Sequence, residues 1–163
     1  MTEKEIRIFL RSERYEVEAS LFSSNEDEGD LLSLLTAMAE QGPETFEIRS
    51  RGVLREDDGR IEIQYEETEA TGMAGARTSI SFMKDEPSVV TMSREGAGAT
   101  TLVFESGKRY RCVYQTPYMP FEICVRTIKV ENNLQGIGTL TLDYVIEIRG
   151  AKAERNKIFL QIL

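Results

Sequence analysis

The chain has 163 residues, 40% apolar and 29% charged, with a net charge of −8, two cysteines and no histidine. This size and composition fit a single domain over residues 1–163; they disfavour a nucleic-acid surface, which needs clustered cations, and contain nothing near the roughly 18 consecutive apolar residues of a membrane-crossing helix. Without histidine the commonest general base and metal ligand is missing, so triad hydrolysis, histidine-held haem and a zinc site are disfavoured, and no cofactor or metal is expected.

In chain order, Ile6, Ile8 and Leu10 alternate with Arg7 and Arg11, and Tyr15 and Val17 continue the run out of phase. This predicts one long strand from about 4 to 19, bent by a bulge between Leu10 and Tyr15. Met1–Ile6 has no basic region followed by an apolar stretch, so no secretory signal is read there and a cytoplasmic address is expected. The acidic excess sits early: residues 1–60 carry 8 Lys/Arg against 15 Asp/Glu. Leu31, Leu32, Leu35, Met38 and Ala39 then recur at three- and four-residue spacing between Asp30 and Gly42-Pro43. They predict the one helix, within an insertion at about 25–42, whose apolar stripe must pack on the barrel, on a partner, or act as a lid.

From residue 44 onward, short alternating runs follow one another, each closed by a turn signal. They are Phe46 to Leu54, closed by Asp57-Asp58-Gly59; Ile61, Ile63, Tyr65; Thr78, Ile80, Phe82, closed by Asp85-Glu86-Pro87; and Val90, Met92, Arg94, closed by Gly96-Ala97-Gly98. Then come Leu102, Phe104 before Ser106-Gly107; Tyr110, Cys112, Tyr114; Phe121, Ile123, Val125; Leu140 to Ile148; and Ile158, Leu160, Ile162. About ten hairpin-linked strands predict an all-β fold. A closed, antiparallel up-and-down barrel, with the first strand meeting the last, removes its edges; a β-sandwich is the alternative.

Around Pro117 two registers are open. A loop centred on Tyr118 brings Cys112 and Cys124 face to face. A two-residue loop sends them to opposite faces and aligns Tyr114 with Phe121, Cys112 with Ile123 and Tyr110 with Val125. The second packs better and leaves both thiols free.

Tyr65-Glu66-Glu67, Met92-Ser93-Arg94-Glu95-Gly96, Tyr114-Gln115-Thr116-Pro117-Tyr118, Arg126-Thr127 and Asp143-Tyr144, in that order, resemble the YwiB-like family of uncharacterised bacterial proteins. The resemblance covers about residues 44–163. It departs after Thr-Pro-Tyr, where Met119-Pro120 replaces the family's usual glycine. It implies a calycin-type, lipocalin-like barrel and no reaction.

Polar residues that continue apolar inner faces mark where a site would lie. Glu67 shares parity with Ile61, Ile63 and Tyr65, Arg94 shares it with Val90 and Met92, and Tyr114, Thr116 and Tyr144 extend other inner faces. The expected cluster is therefore Tyr65, Glu67, Arg94, Tyr114, Thr116 and Tyr144, because enclosed charges must meet each other, a ligand or water. Within it, Glu67 and Arg94 are read either as a structural or rim ion pair, or as ligand contacts. In the second case Arg94 selects an anionic group and the aromatic lining an apolar body, so the ligand is a small amphipathic acid. Glu66 and Glu67 face opposite sides of a strand and cannot act as a carboxylate pair. An enzyme is the least supported class. The readings left open are a non-enzymatic barrel binding a ligand in its lumen and a ligand-free interaction or homodimeric module acting through its outer surface or helix.

Overall fold

The computed structural model describes residues 1–17, 43–67, 75–96, 98–115, 117–148 and 153–163, with Val17, Tyr114, Phe121 and Ile148 described by backbone alone. The helix expected within 25–42 falls outside the described residues. Among the described residues ten strands follow in chain order: β1 (Thr2–Val17), β2 (Glu44–Asp57), β3 (Arg60–Glu66), β4 (Arg77–Met83), β5 (Glu86–Glu95), β6 (Ala99–Glu105), β7 (Arg109–Tyr114), β8 (Phe121–Asn133), β9 (Thr139–Ile148) and β10 (Ala153–Ile162). All pairings are antiparallel, in one sheet ordered β6-β5-β4-β3-β2-β1-β10-β9-β8-β7. The first and last strands meet as expected, from Ile8↔Ile162 to Val17↔Ala153.

The cylinder is nearly closed. Its seam lies between β6 and β7, where the only ladder contact among the described residues is the bridge Ala99↔Gln115, with hydrogen bonds of 2.8 Å each way. At the other end of that hairpin, the turn bonds to β8 instead: Gly107 N donates to Thr127 O at 3.0 Å, and Thr127 N to Lys108 O at 3.1 Å. The pair is thus drawn toward β8 and left without a continuous ladder.

Alternation decides which face fills the lumen. Ile8, Ile63, Ile80, Met92, Phe104, Leu140, Leu142 and Leu160 are sealed from solvent and pack in one core. At about 25 cal/mol per Å2 of apolar area, burial of such side chains stabilises the fold by roughly 1.5–3 kcal/mol each. The loop between β2 and β3 is the two-residue turn that Asp-Gly favours: Asp58 and Gly59 have φ of 50° and 78°. Around Pro117 the strands align Tyr114↔Phe121, Cys112↔Ile123 and Tyr110↔Val125. That is the register favoured from packing, and both thiols are free. The loop, however, runs from Gln115 to Pro120, so Pro117 is spared the positive φ of a tight turn.

Two sequence expectations are corrected. β1 has no bulge, because its register with β2 and β10 is unbroken. The phase slip instead marks a change of face: Tyr15 lies on the outer face, with Lys157 Nζ 5.9 Å from its ring centroid. The turn expected at Asp85-Glu86-Pro87 is tighter. Met83 pairs with Glu86, and Pro87 lies within β5. A register shift between Ser81 and Met83 accompanies it.

Gly52 faces inward between Ile6 and Tyr65, and a Cβ there would stand 2.8 Å from Gln64 O. A strand glycine with so close a backbone neighbour has no room for a side chain. Gly52→Ala should therefore destabilise the fold by about 2 kcal/mol. Urea denaturation reads this directly, and an unchanged midpoint would show that β2 yields freely at this position.

Candidate functional site

In an up-and-down barrel, alternate connections gather at opposite ends. Those after β2, β4, β6 and β8 are short and form one end; strands β1, β3, β5, β7 and β9 finish at the other. Tyr65, Glu67 and Arg94 lie toward the second end. Register assembles them. Ile6, Gly52, Tyr65, Thr78, Arg94 and Thr100 are successive cross-strand partners from β1 to β6, one inner rung around much of the barrel.

Glu67 lies just past β3, held by its N–H donating to Ala76 O at 2.7 Å. Its side chain is 1% exposed, that of Arg94 26%, and Arg94 Nε stands 3.6 Å from Glu67 Oε1. The pair is therefore neither solvated at the rim nor fully sealed. Thr78 Oγ1 donates to the same carboxylate oxygen at 2.6 Å. Arg94 Nε itself is buried and lacks a hydrogen-bond partner. Tyr144 closes the floor, its ring 4.5 Å from that of Phe104 at 46°.

These side chains surround a cavity of ≈ 40 Å3, lined by Tyr65, Glu67, Arg94 and Tyr144 together with Ser12, Arg14 and Asn156. That is space for a few waters or one carboxylate group. It does not hold the apolar body of the amphipathic acid inferred from the lining. Four of the six expected residues are thus brought together. Tyr114 is placed by its backbone only, at the end of β7, and Thr116 lies outside the described residues.

Arg14 is the main residue that sequence reasoning missed. Its Nε, too, is buried without a hydrogen-bond partner, 3.9 Å from Glu154 Oε2, while its guanidinium carbon lies 5.5 Å from the Phe46 ring centroid. A bulge between Leu10 and Tyr15 would turn Arg14 outward; unbroken alternation from Leu10 through Ser12 turns it in. Thr78 carried the same signal, at the head of the inner face of β4.

Burial pushes the Tyr65 phenol well above its ordinary value; the Glu67 charge adds to this and Arg94 opposes it. Burial also raises Tyr144, against the pull of Arg94. For Arg94, burial works against the charge, but Tyr144, Tyr65 and Glu67 outweigh it and hold the guanidinium cationic. Among the described residues lining this cavity, Glu67 is the one carboxylate. Among the described residues no three His, Cys, Asp or Glu side chains gather as a metal site, and no helix is long and apolar enough to cross a membrane.

The family described as a domain of unknown function (DUF1934) matches residues 33–160. A solved structure, the ywiB protein from Bacillus subtilis, is similar with a TM-score of 0.63 at 14% identity, covering 98% of this chain and 93% of that one. At that identity the likeness shows the fold. No curated protein matches.

Two outcomes test the cluster. Arg94→Leu removes the cation beside a sealed carboxylate and should cost about 3 kcal/mol, the low end for a buried pair because Arg94 reaches solvent. A loss below about 0.5 kcal/mol in chemical denaturation would place Arg94 among ordinary surface positions. Raised folded-state values for Tyr65 and Tyr144 stabilise the protein below the ordinary tyrosine pKa of about 10, and this contribution is lost as pH climbs toward the folded values. Stability should therefore fall above about pH 10, and less steeply in Tyr65→Phe. Identical slopes in the two proteins would mean Tyr65 titrates normally.

Proposed function

Because this chain belongs to the DUF1934 family, a domain of unknown function, its own residues must supply the reading, and we propose a non-enzymatic barrel that holds the anionic head of a small ligand beside Arg94. The observation that carries this is the buried Nε of Arg94, which has no hydrogen-bond partner and lines a cavity of ≈ 40 Å3. A buried donor left unmade costs roughly 1–3 kcal/mol, so a group that accepts from it is favoured. A carboxylate matches the guanidinium fork. Arg14 approaches the same space from β1 and adds a second positive charge to it.

Tyr65 and Tyr144 form the wall against which the head group rests, and Glu67 orients Arg94 rather than touching the anion. Tyr114 and Thr116 belong to the proposed contacts. The ligand's apolar part extends beyond the ≈ 40 Å3, toward the end where the odd-numbered strands finish. A calycin-type assignment and a cytoplasmic address belong to this proposal; the free thiols Cys112 and Cys124 suit a reducing compartment.

Native mass spectrometry of gently purified protein, followed by thermal melting with acetate, hexanoate and octanoate, tests the reading. A bound carboxylate should raise stability by about 2.7 kcal/mol at a hundred times its Kd, and Arg94→Lys, which keeps the charge but not the fork, should lose most of that gain. No adduct and no shift with any of the three acids would overturn it. The second reading, an interaction or homodimeric module, draws on a large groove on the outside of β1–β4, and subunit number in the same spectra addresses it.

A further inference from the structure

The groove has a volume of ≈ 940 Å3 and is lined in part by Arg7, Arg51, Gly52, Val53, Gln64, Glu66 and Arg77. Its floor is the backbone of the rung Ile6–Gly52–Tyr65, and its walls are the outward rows on either side. One row runs Glu5–Val53–Gln64. The other begins with Arg7 directly opposite Arg51 and ends with Glu66 directly opposite Arg77. Arg7, Arg51 and Arg77 are exposed.

Opposed side chains of an antiparallel pair have Cβ atoms about 4.5–5.5 Å apart, and like charges there destabilise the sheet. Neither Arg7 nor Arg51 forms an ion pair with any carboxylate among the described residues, although Glu5 and Glu66 line the same groove. By contrast, Arg55, on the same outer face of β2, is held by Glu3 at 2.8 Å and by Glu62 at 3.4 Å. The chain has carboxylates in excess, with a net charge of −8, yet none among the described residues is paired with either arginine. Two forked, permanently charged side chains side by side match the oxygens of one phosphoryl group.

We propose that the groove binds a small phosphorylated molecule, with Arg7 and Arg51 clamping its phosphate. Arg77 lies across Glu66 from the clamp and reaches a second phosphoryl group. Glu66 accepts from a hydroxyl of the ligand, and Val53 and Gln64 face its body. The volume lies within the range of pockets for such ligands, about 300–1,000 Å3. This site is on the opposite face of the sheet from the Arg94 cavity and stands or falls independently of it.

The test is thermal melting of the whole chain with sodium phosphate or pyrophosphate, each matched in ionic strength by sodium chloride. Wild type should melt several degrees higher in millimolar pyrophosphate than in chloride, with a smaller rise in phosphate. Arg7→Gln and Arg51→Gln should each abolish the rise while melting no lower than wild type in dilute chloride, because each relieves the repulsion. Arg49→Gln, on the same face beside Phe9, should keep it. No rise in wild type, or a rise kept by both clamp variants, would overturn the proposal. Should either clamp variant melt far lower in chloride, phosphorus NMR line-broadening of pyrophosphate by wild type and by Arg51→Lys decides: broadening that is absent, or equal in the two, also overturns it.

Discussion

Strand β1 is paired on both sides, with β2 from Thr2 to Arg14 and with β10 from Ile8 to Val17. That double pairing joins the first six strands to the last four and turns a meander into a nearly closed cylinder. It also sets every inner face, because a slip of one residue in β1 would send Ile6, Ile8 and Leu10 outward and bring Arg7 and Arg11 in. The burial of those three apolar side chains holds the register, and the register in turn fixes which polar groups enter the lumen.

Given that register, the polar rung is a consequence rather than an accident of packing. Tyr65, Thr78, Arg94 and Thr100 are cross-strand partners, so any inward residue on one strand confronts inward residues on the next. A lone Glu67 among aliphatic neighbours would cost several kcal/mol. Arg94 at 3.6 Å and the Thr78 hydroxyl at 2.6 Å offset that cost. What remains unsatisfied is mostly on the cation side: among the described residues, the Nε atoms of Arg94 and Arg14 and the hydroxyls of Thr100 and Thr127 are buried without hydrogen-bond partners. Such atoms are uncommon in folded proteins and need a water, an ion or a ligand to account for them.

The seam between β6 and β7 is the weak element of the cylinder. Ends pinned at Ala99↔Gln115 and at the Ser106–Lys108 turn leave a hairpin whose ladder does not continue between them. The backbone groups of Thr101 and Val103 on that side gain nothing from β7, so local opening costs less here than across β1 and β10. This places the least cooperative part of the sheet next to Arg94, whose partner strand is β6.

Much of the fold was legible because period-two alternation and turn chemistry are local properties. Asp58-Gly59 specifies its own turn, Leu140 to Ile148 specifies its own inner face, and the pairing of Cys112 with Ile123 follows from matching apolar positions across one loop. Glu67 and Arg94 could be named as inward-facing for the same reason. What alternation alone could not settle was distance around the cylinder. Arg14 lies far from Arg94 in sequence, and an apolar residue that changes face looks the same as a bulge until neighbouring strands show an unbroken register. Whether the lumen is filled, where the barrel is left open, and that Arg7 confronts Arg51 on the outside all depend on long-range pairing. Only the tertiary structure decides these, because each depends on which residues the closed sheet sets opposite one another, and no single strand carries that information.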